Sequence, residues 1–459
     1  MNGNILKIKD RRQIYGEKIE IEKMLKRLWQ YCNKIFKLDK ALQQLKNQGF
    51  SEKNNEPLLT TILLVAMFMR VRSYNALKQS LKKNSKKWKK LLGGIAPPSI
   101  STLDRGTEKS DIDGLYQINK RNNQKLHRNK VFNIDEASHG LMVVAVDGHE
   151  TFSSECRCCP QCLTRKKTIK VKTKVKVEQN GKIKFEVKEE EKEVIEYYHK
   201  YVVCQLILCS VPVIIDIETI MPGEGELTAA KRLIKRILKE QSRRVDVFCF
   251  DALYLDSYLL NMIDEKKKFW VAVLKQANRD AYKEIDRALS SIKPIKTEIN
   301  KRKVTLWDME ELVGWDKLKK TFRAVVSYEE YWKWELNPKT REKEKVLKTQ
   351  VWRWLTNMPS IYKAEIVYKF GHGRWDVENR GFHDLATNCR LDHPFHHHPT
   401  ALLAMMWIIS IAFNLSYAFY QRNLKSQLKK CIKTRQQLSV EIRSDIKTLD
   451  EPLICPRAP

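Results

Sequence analysis

Hydrophobic spacing along the chain changes twice, and each change predicts a new layer of structure. Up to about residue 135 the period is helical. Ile21, Leu25, Leu28, Cys32, Ile35, Leu42 and Leu45 recur against a lysine- and glutamate-rich face, which predicts an amphipathic helix or helix pair over 18–47. The segment 57–70 is almost wholly apolar, with Leu58, Leu59, Ile62, Leu63, Leu64, Val65, Met67 and Phe68. It is too short to span a bilayer and reads as a core helix. Ser73 is placed to cap a helix over 74–81. Pro97-Pro98-Ser99 breaks the chain ahead of another short helix carrying Arg105.

From Gly140 the apolar runs shorten to strand length. Leu141 to Val146 is a buried-strand run that ends in Asp147, and 245–251 repeats the pattern, ending in Asp251. Over 169–187 lysine alternates with Val, Ile or Phe on either side of Asn180-Gly181, a strong β-hairpin signal. Further strands are expected at 195–208, 211–220 and 269–274, with helices at 227–240 and 254–264. This order predicts an α/β fold with a mixed sheet flanked by helices. Residues 275–368 turn irregular and β-rich, and carry Trp307, Trp315, Trp332, Trp334, Trp352 and Trp354 among many basic residues. A β-like run at 366–370 then leads into Gly371–Leu385, expected to be helical, where Arg374, Glu378 and Phe382 fall on one face. The last long run, 401–420, is almost uncharged and as long as a membrane span. Ser410, Asn414 and Ser416 within it favour a helix buried against the sheet, so no membrane partner is expected.

Charge sharpens this picture. Lys and Arg number 86 against 55 Asp and Glu, a net charge of +31, which points to a polyanion and most simply to nucleic acid. The lysine run with Lys86, Lys87 and Lys89, together with Arg105, makes the helical N-terminal region (1–135) a candidate DNA-binding module. Trp332 and Trp334 in the β-rich segment are candidates for base stacking, with core packing the ordinary role for most of its tryptophans. The polar, charged N-terminus predicts a cytoplasmic, nucleoid-associated protein. Four of the eleven cysteines lie between Cys156 and Cys162. Cys159-x2-Cys162 is a thiolate knuckle, and Cys156 with His199 would complete a tetrahedral zinc set; simple reduced cysteines are the alternative. The histidines from His393 to His398 read as a polar loop ahead of a helix.

Asp147 and Asp251 at strand ends, and Glu378 on a helix, form a set of hard oxygen ligands suited to Mg²⁺ or Mn²⁺. Paired ions held this way activate the attacking oxygen and stabilise the leaving one in phosphodiester chemistry. On Val-Ala-Val-Asp147-Gly-His, Cys-Phe-Asp251-Ala-Leu-Tyr, Trp354-Leu-Thr-Asn357 and Gly-Arg374-Trp-Asp-Val-Glu378-Asn, the chain resembles the DDE (Asp-Asp-Glu) insertion-sequence transposases. The resemblance covers roughly 140–420, and it is to the subgroup with an RNase H-like catalytic domain and a β-rich insertion before the catalytic Glu. It implies that Asp147, Asp251 and Glu378 are the catalytic triad, with Arg374 belonging to the motif before the Glu. It also implies a catalytic domain beginning in 136–275, which contains the cysteine cluster and lysine-rich hairpin. An insertion at 276–360, the Glu helix and core helix at 361–425 and a basic tail at 426–459 complete the division. Water would attack the element's end to free a 3′-OH, which would then attack double-stranded target DNA, with a homodimer acting on paired ends. The subgroup usually has a Tyr three residues before the Arg and a Lys seven after the Glu; this chain has Gly371 and Leu385 there. A non-catalytic DNA-binding protein and another RNase H-like nuclease are the rival readings.

Overall fold

The chain is represented by a computed structural model that describes residues 23–47, 55–132, 138, 140–156, 158–179, 182–277, 279–338, 341–389, 397–448 and 452–453. Its strands are β1 (Val143–Ser154), β2 (Leu163–Gln179), β3 (Lys182–Leu206), β4 (Ile214–Thr219), β5 (Val247–Phe250), β6 (Phe269–Val273), β7 (Ile295–Ile299), β8 (Arg302–Leu312), β9 (Phe322–Leu336) and β10 (Lys343–Thr356). They join into one mixed sheet of order β2-β3-β1-β5-β6-β10-β9-β8-β7, with β4 paired on β3. Strands β1, β5 and β6 run parallel to one another, while β3 is antiparallel to β1 and to β4. Helices fill the crossovers. Glu226–Glu240 lies between β4 and β5, and Ser257–Glu265 between β5 and β6. The first buries Ala229, Ala230, Leu233, Ile234, Ile237 and Leu238, the apolar stripe that the spacing predicts.

The β-rich segment is welded to this sheet. Trp354, Leu355 and Thr356 of β10 pair with Val273, Ala272 and Val271 of β6. The Thr356 hydroxyl donates to the Trp270 carbonyl (2.6 Å), and the Asn357 carboxamide accepts from the Trp270 amide (2.8 Å). The Trp-Leu-Thr-Asn motif is therefore a clasp on an edge that would otherwise expose unpaired backbone groups.

The hairpin strands are longer than their alternating pattern suggests. β3 runs unbroken over 25 residues, uniting the hairpin's second strand with the separate strand expected at 195–208. Pairing runs from Leu163↔Tyr198 to Gln179↔Lys182, a two-residue connection as Asn-Gly predicts; Asn180 and Gly181 themselves lie outside the described residues. The arm's basic side chains face glutamates across the strands: Lys172 pairs with Glu189 (3.1 Å), Lys166 with Glu193 (3.4 Å) and Arg165 with Glu196 (2.6 Å).

The run 366–370 is helix, not strand: Ala364–Gly373 is α-helical and buries Ile366, Val367, Phe370 and Gly371. The β-branched residues suggest a strand, but burial on most sides of a short helix removes the polar face that would mark it as one.

The apolar run forms the helix Pro399–Ala418, which is long and apolar enough to cross a membrane yet is mostly buried inside the protein. Asn414, fully buried, fixes it there. Its carboxamide oxygen accepts from the Ile214 amide (2.9 Å), and its amide donates to the Ile214 carbonyl (3.0 Å) and to Asn119 (3.0 Å). Asn119 and Asn123, on the helix Ile112–Arg128, donate in turn to the same strand backbone. Among the described residues, the N-terminal helices thus share one continuous core with the sheet; residues 133–137, around the division expected at 135, lie outside them.

Candidate functional site

Constant register places the first two carboxylates. Val143 pairs with Val247 and Ala145 with Cys249 on parallel β1 and β5. Asp147 and Asp251 each follow that pairing by the same number of residues, Asp251 directly after the end of β5 and Asp147 inside β1, which runs past the expected strand end to Ser154. Both lie just beyond the parallel pairing, on the usual ligand edge of a parallel sheet.

The third arrives from the other side. Val377–Phe382 is a π-helical turn, where an α-helix was expected, and Glu378 sits in it. π-Turns inside helices recur at functional sites because they re-aim side chains. Several contacts dock this turn on the sheet. Asp376 accepts from the Leu208 amide (3.2 Å), and Arg380 donates to the Cys209 carbonyl (2.8 Å). The Phe382 ring stacks on His149 of β1 at 4.3 Å.

Arg374, with a side chain 7% exposed, ties the groups together. Its Nη1 donates to Asp147 Oδ2 (3.0 Å) and to Glu378 Oε1 (3.3 Å). One nitrogen is therefore shared by two of the expected triad members. Lys275 Nζ lies 3.0 Å from Asp251 Oδ1. Asp147 and Glu378 thus meet at Arg374, while Asp251 stands on the neighbouring strand beside Lys275 and within the electrostatic reach of that guanidinium.

The same cluster contains a carboxylate that sequence reasoning missed. Glu226, in the first turn of Glu226–Glu240, sits against Gly148, where a Cβ would collide with its carboxylate. Lys200 Nζ (2.6 Å) and the Tyr254 hydroxyl (2.6 Å) hold it. An acidic residue at a helix start is too common to flag a site from sequence. The one available hint was the glycine directly after Asp147.

Electrostatics separate the two aspartates. Burial pushes the Asp147 pKa up to about 6 against the relief from Arg374, with Glu378 and Glu226 adding to the rise. Burial also opposes ionisation of Asp251, but the Ala252 amide, Lys275 and Arg374 outweigh it and hold its pKa below the usual range.

The positions at which the chain departs from the related motif are filled by core. A Cβ on Gly371 would run into the Trp354 indole, and Leu385 is buried. Trp354 itself is only 1% exposed, whereas Trp332 and Trp334 are 59% and 64% exposed on one face of β9. Lys345 lies over the Trp332 ring at 5.3 Å. Lys86, Lys89 and Arg105 are exposed and Lys87 is half-buried on their short helices, well away in sequence from the carboxylates.

The cysteine cluster gathers a different set from the expected one. Cys159, Cys162 and His199 come together, but the fourth member is His397, and Cys156 is exposed outside the group. His397 stands just ahead of the helix Pro399–Ala418, so the tract read as a polar loop delivers a ligand-type side chain across 235 residues to Cys162. His393 and His396 lie outside the described residues. In sequence comparisons, no family model and no curated protein matches this chain.

Proposed function

We propose that the chain is a DDE-type transposase that cleaves DNA at the ends of a mobile element and joins the freed 3′-OH to target DNA. The observation that carries this reading is the meeting of Asp147 and Glu378 at Arg374, with Asp251 at the matching position of the neighbouring strand. The order β4-β3-β1-β5-β6, with β4, β1, β5 and β6 parallel and β3 alone antiparallel to them, supports an RNase H-like catalytic domain. The net charge of +31 supports a DNA substrate.

Carboxylate oxygens are the ligands that Mg²⁺ or Mn²⁺ takes, and Asp147, Asp251 and Glu378 each present one beside the Arg374 or Lys275 side chain. Bound there, the ion would supply Lewis-acid activation of the attacking oxygen and charge stabilisation of the leaving one. Asp147 and Asp251 would hold it from the sheet, and Glu378 from the π-turn. Arg374 orients Asp147 and Glu378 toward a common point, and Lys275 keeps Asp251 ionised. Exposed Trp332 and Trp334 offer a stacking face for DNA, and the lysines of the N-terminal helices offer phosphate contacts.

The test uses DNA carrying the sequences that flank the gene, incubated with the full chain and Mg²⁺. Glu378→Gln should slow 3′-end cleavage by on the order of a hundredfold or more, since it removes one charged group from the reacting centre. Equal cleavage by parent and variant would overturn the assignment. Cleavage without joined target product would favour a nuclease of another kind.

A further inference from the structure

We propose that Cys159, Cys162, His199 and His397 form a structural zinc site that staples the base of the β2–β3 arm to the start of the core helix Pro399–Ala418. This goes beyond the transposase reading and does not depend on it.

The argument is the shape of the cluster. For Zn–S near 2.3 Å and Zn–N near 2.0 Å in a tetrahedron, the ligand atoms should stand about 3.8 Å apart for S···S and about 3.5 Å apart for S···N. Cys159 Sγ and Cys162 Sγ are 3.7 Å apart. His199 Nε2 is 3.4 Å from each sulfur, and His397 Nε2 is 3.1 Å from Cys162 Sγ. All four atoms lie within 4.8 Å of one another. The two Cys–His199 separations and the Cys–Cys separation match tetrahedron edges, and the His397 contact is a little shorter. A disulfide would need the sulfurs at about 2.05 Å, so the knuckle is poised for a shared cation and not for a bond.

Supporting contacts match a metal site as well. The Cys159 amide donates to Cys162 Sγ (3.2 Å), and the Cys162 amide to the Cys159 carbonyl (3.0 Å), which closes the Cys-Pro-Gln-Cys turn and aims both sulfurs inward. His199 is on β3, 2% exposed, and Cys162 is 7% exposed directly before β2. The two imidazoles meet edge to face at 5.3 Å, each presenting Nε2 to the same sulfur. Two thiolates and two neutral imidazoles suit zinc over harder cations. The three segments meet here from positions far apart in the chain. A bound ion therefore fixes where the polypeptide lies after it leaves the Glu378 turn.

The test measures metal in the full-length protein purified without added chelator, by plasma mass spectrometry, and then by cobalt substitution. One zinc per chain is expected, and the cobalt form should show tetrahedral d–d absorption with thiolate charge-transfer bands. Cys162→Ser and His397→Ala should each lose the zinc, while Cys156→Ser keeps one per chain. Should either losing variant fail to fold, the parent's cobalt spectrum still decides, since it reports tetrahedral geometry and thiolate ligation directly. Parent protein that retains less than about one-tenth of an equivalent after zinc reconstitution overturns the proposal, and so does zinc lost with Cys156 but kept without His397.

Discussion

Replacing Asp147 by Asn should make the metal-free protein more stable at pH 8. Asp147 is mostly buried, and its pKa is raised from the ordinary 3.8 to about 6. At about 1.4 kcal/mol per tenfold change in proton affinity, that rise corresponds to about 3 kcal/mol of destabilisation once the group is ionised. The sign follows from the direction of the rise. Below the unfolded value the carboxyl is protonated in both states and costs nothing; above about 6 it is ionised in both, and the folded protein bears the full penalty. Asn removes the charge and keeps an acceptor for the Gly148 amide, which Asp147 Oδ1 now binds at 3.0 Å. The Arg374 ion pair is lost, although Glu378 still partners that guanidinium, so a net gain of about 1–3 kcal/mol is expected at pH 8. Urea titrations of parent and variant in EDTA at pH 8 and near pH 4 measure it. The gap should close at the lower pH, and Mg²⁺ should narrow it at pH 8 by stabilising the parent alone. A variant no more stable than the parent at pH 8, or a gap that is the same at both pH values, would refute the account of the site's electrostatics.

Asn414→Leu should lower stability by about 3 kcal/mol, because it strands the buried Ile214 amide and two asparagine partners without replacing their bonds. The urea midpoint reports this, and a loss under about 1 kcal/mol would show that the network contributes little. Gly371→Tyr, which introduces the residue usual in the transposase motif that this stretch resembles, should not create a contact to DNA. It should instead destabilise by about 3 kcal/mol or more, since its side chain meets the packed Trp354 ring. A soluble variant melting with the parent would show that the indole can move aside.

The first two acidic positions were legible because each closes an apolar run, and the register of the parallel strands turns that likeness into adjacency, although β1 itself runs on to Ser154. Glu378 was legible through Arg374, one helical turn away, although the π-turn that aims it leaves no mark in spacing. His397 was not legible. A histidine tract names no partner, and what selects one of its members is the path of the core helix, a property of the whole fold. Glu226 was hidden for a similar reason, since its role depends on which strand end its helix starts beside. Asn414 was the clearest signal of all: an amide in an apolar run needs a partner, and the run's placement against β4 and the Ile112–Arg128 helix supplies it.

The β2–β3 arm carries a mechanical consequence. β2 has 17 residues, and at roughly 3.3 Å each it extends about 55 Å. Among the described residues, the part of β3 between Lys182 and Glu196 pairs with β2 and with no other strand. It is a two-stranded lever, close in length to sixteen or so base pairs at about 3.4 Å per step. Force applied at its tip reaches the sheet as torque at Tyr197–His199, where β1 begins to pair and the Cys–His cluster sits. The long strand is thus a torsion bar, with its clamp at one end and the carboxylates a few residues beyond the clamp.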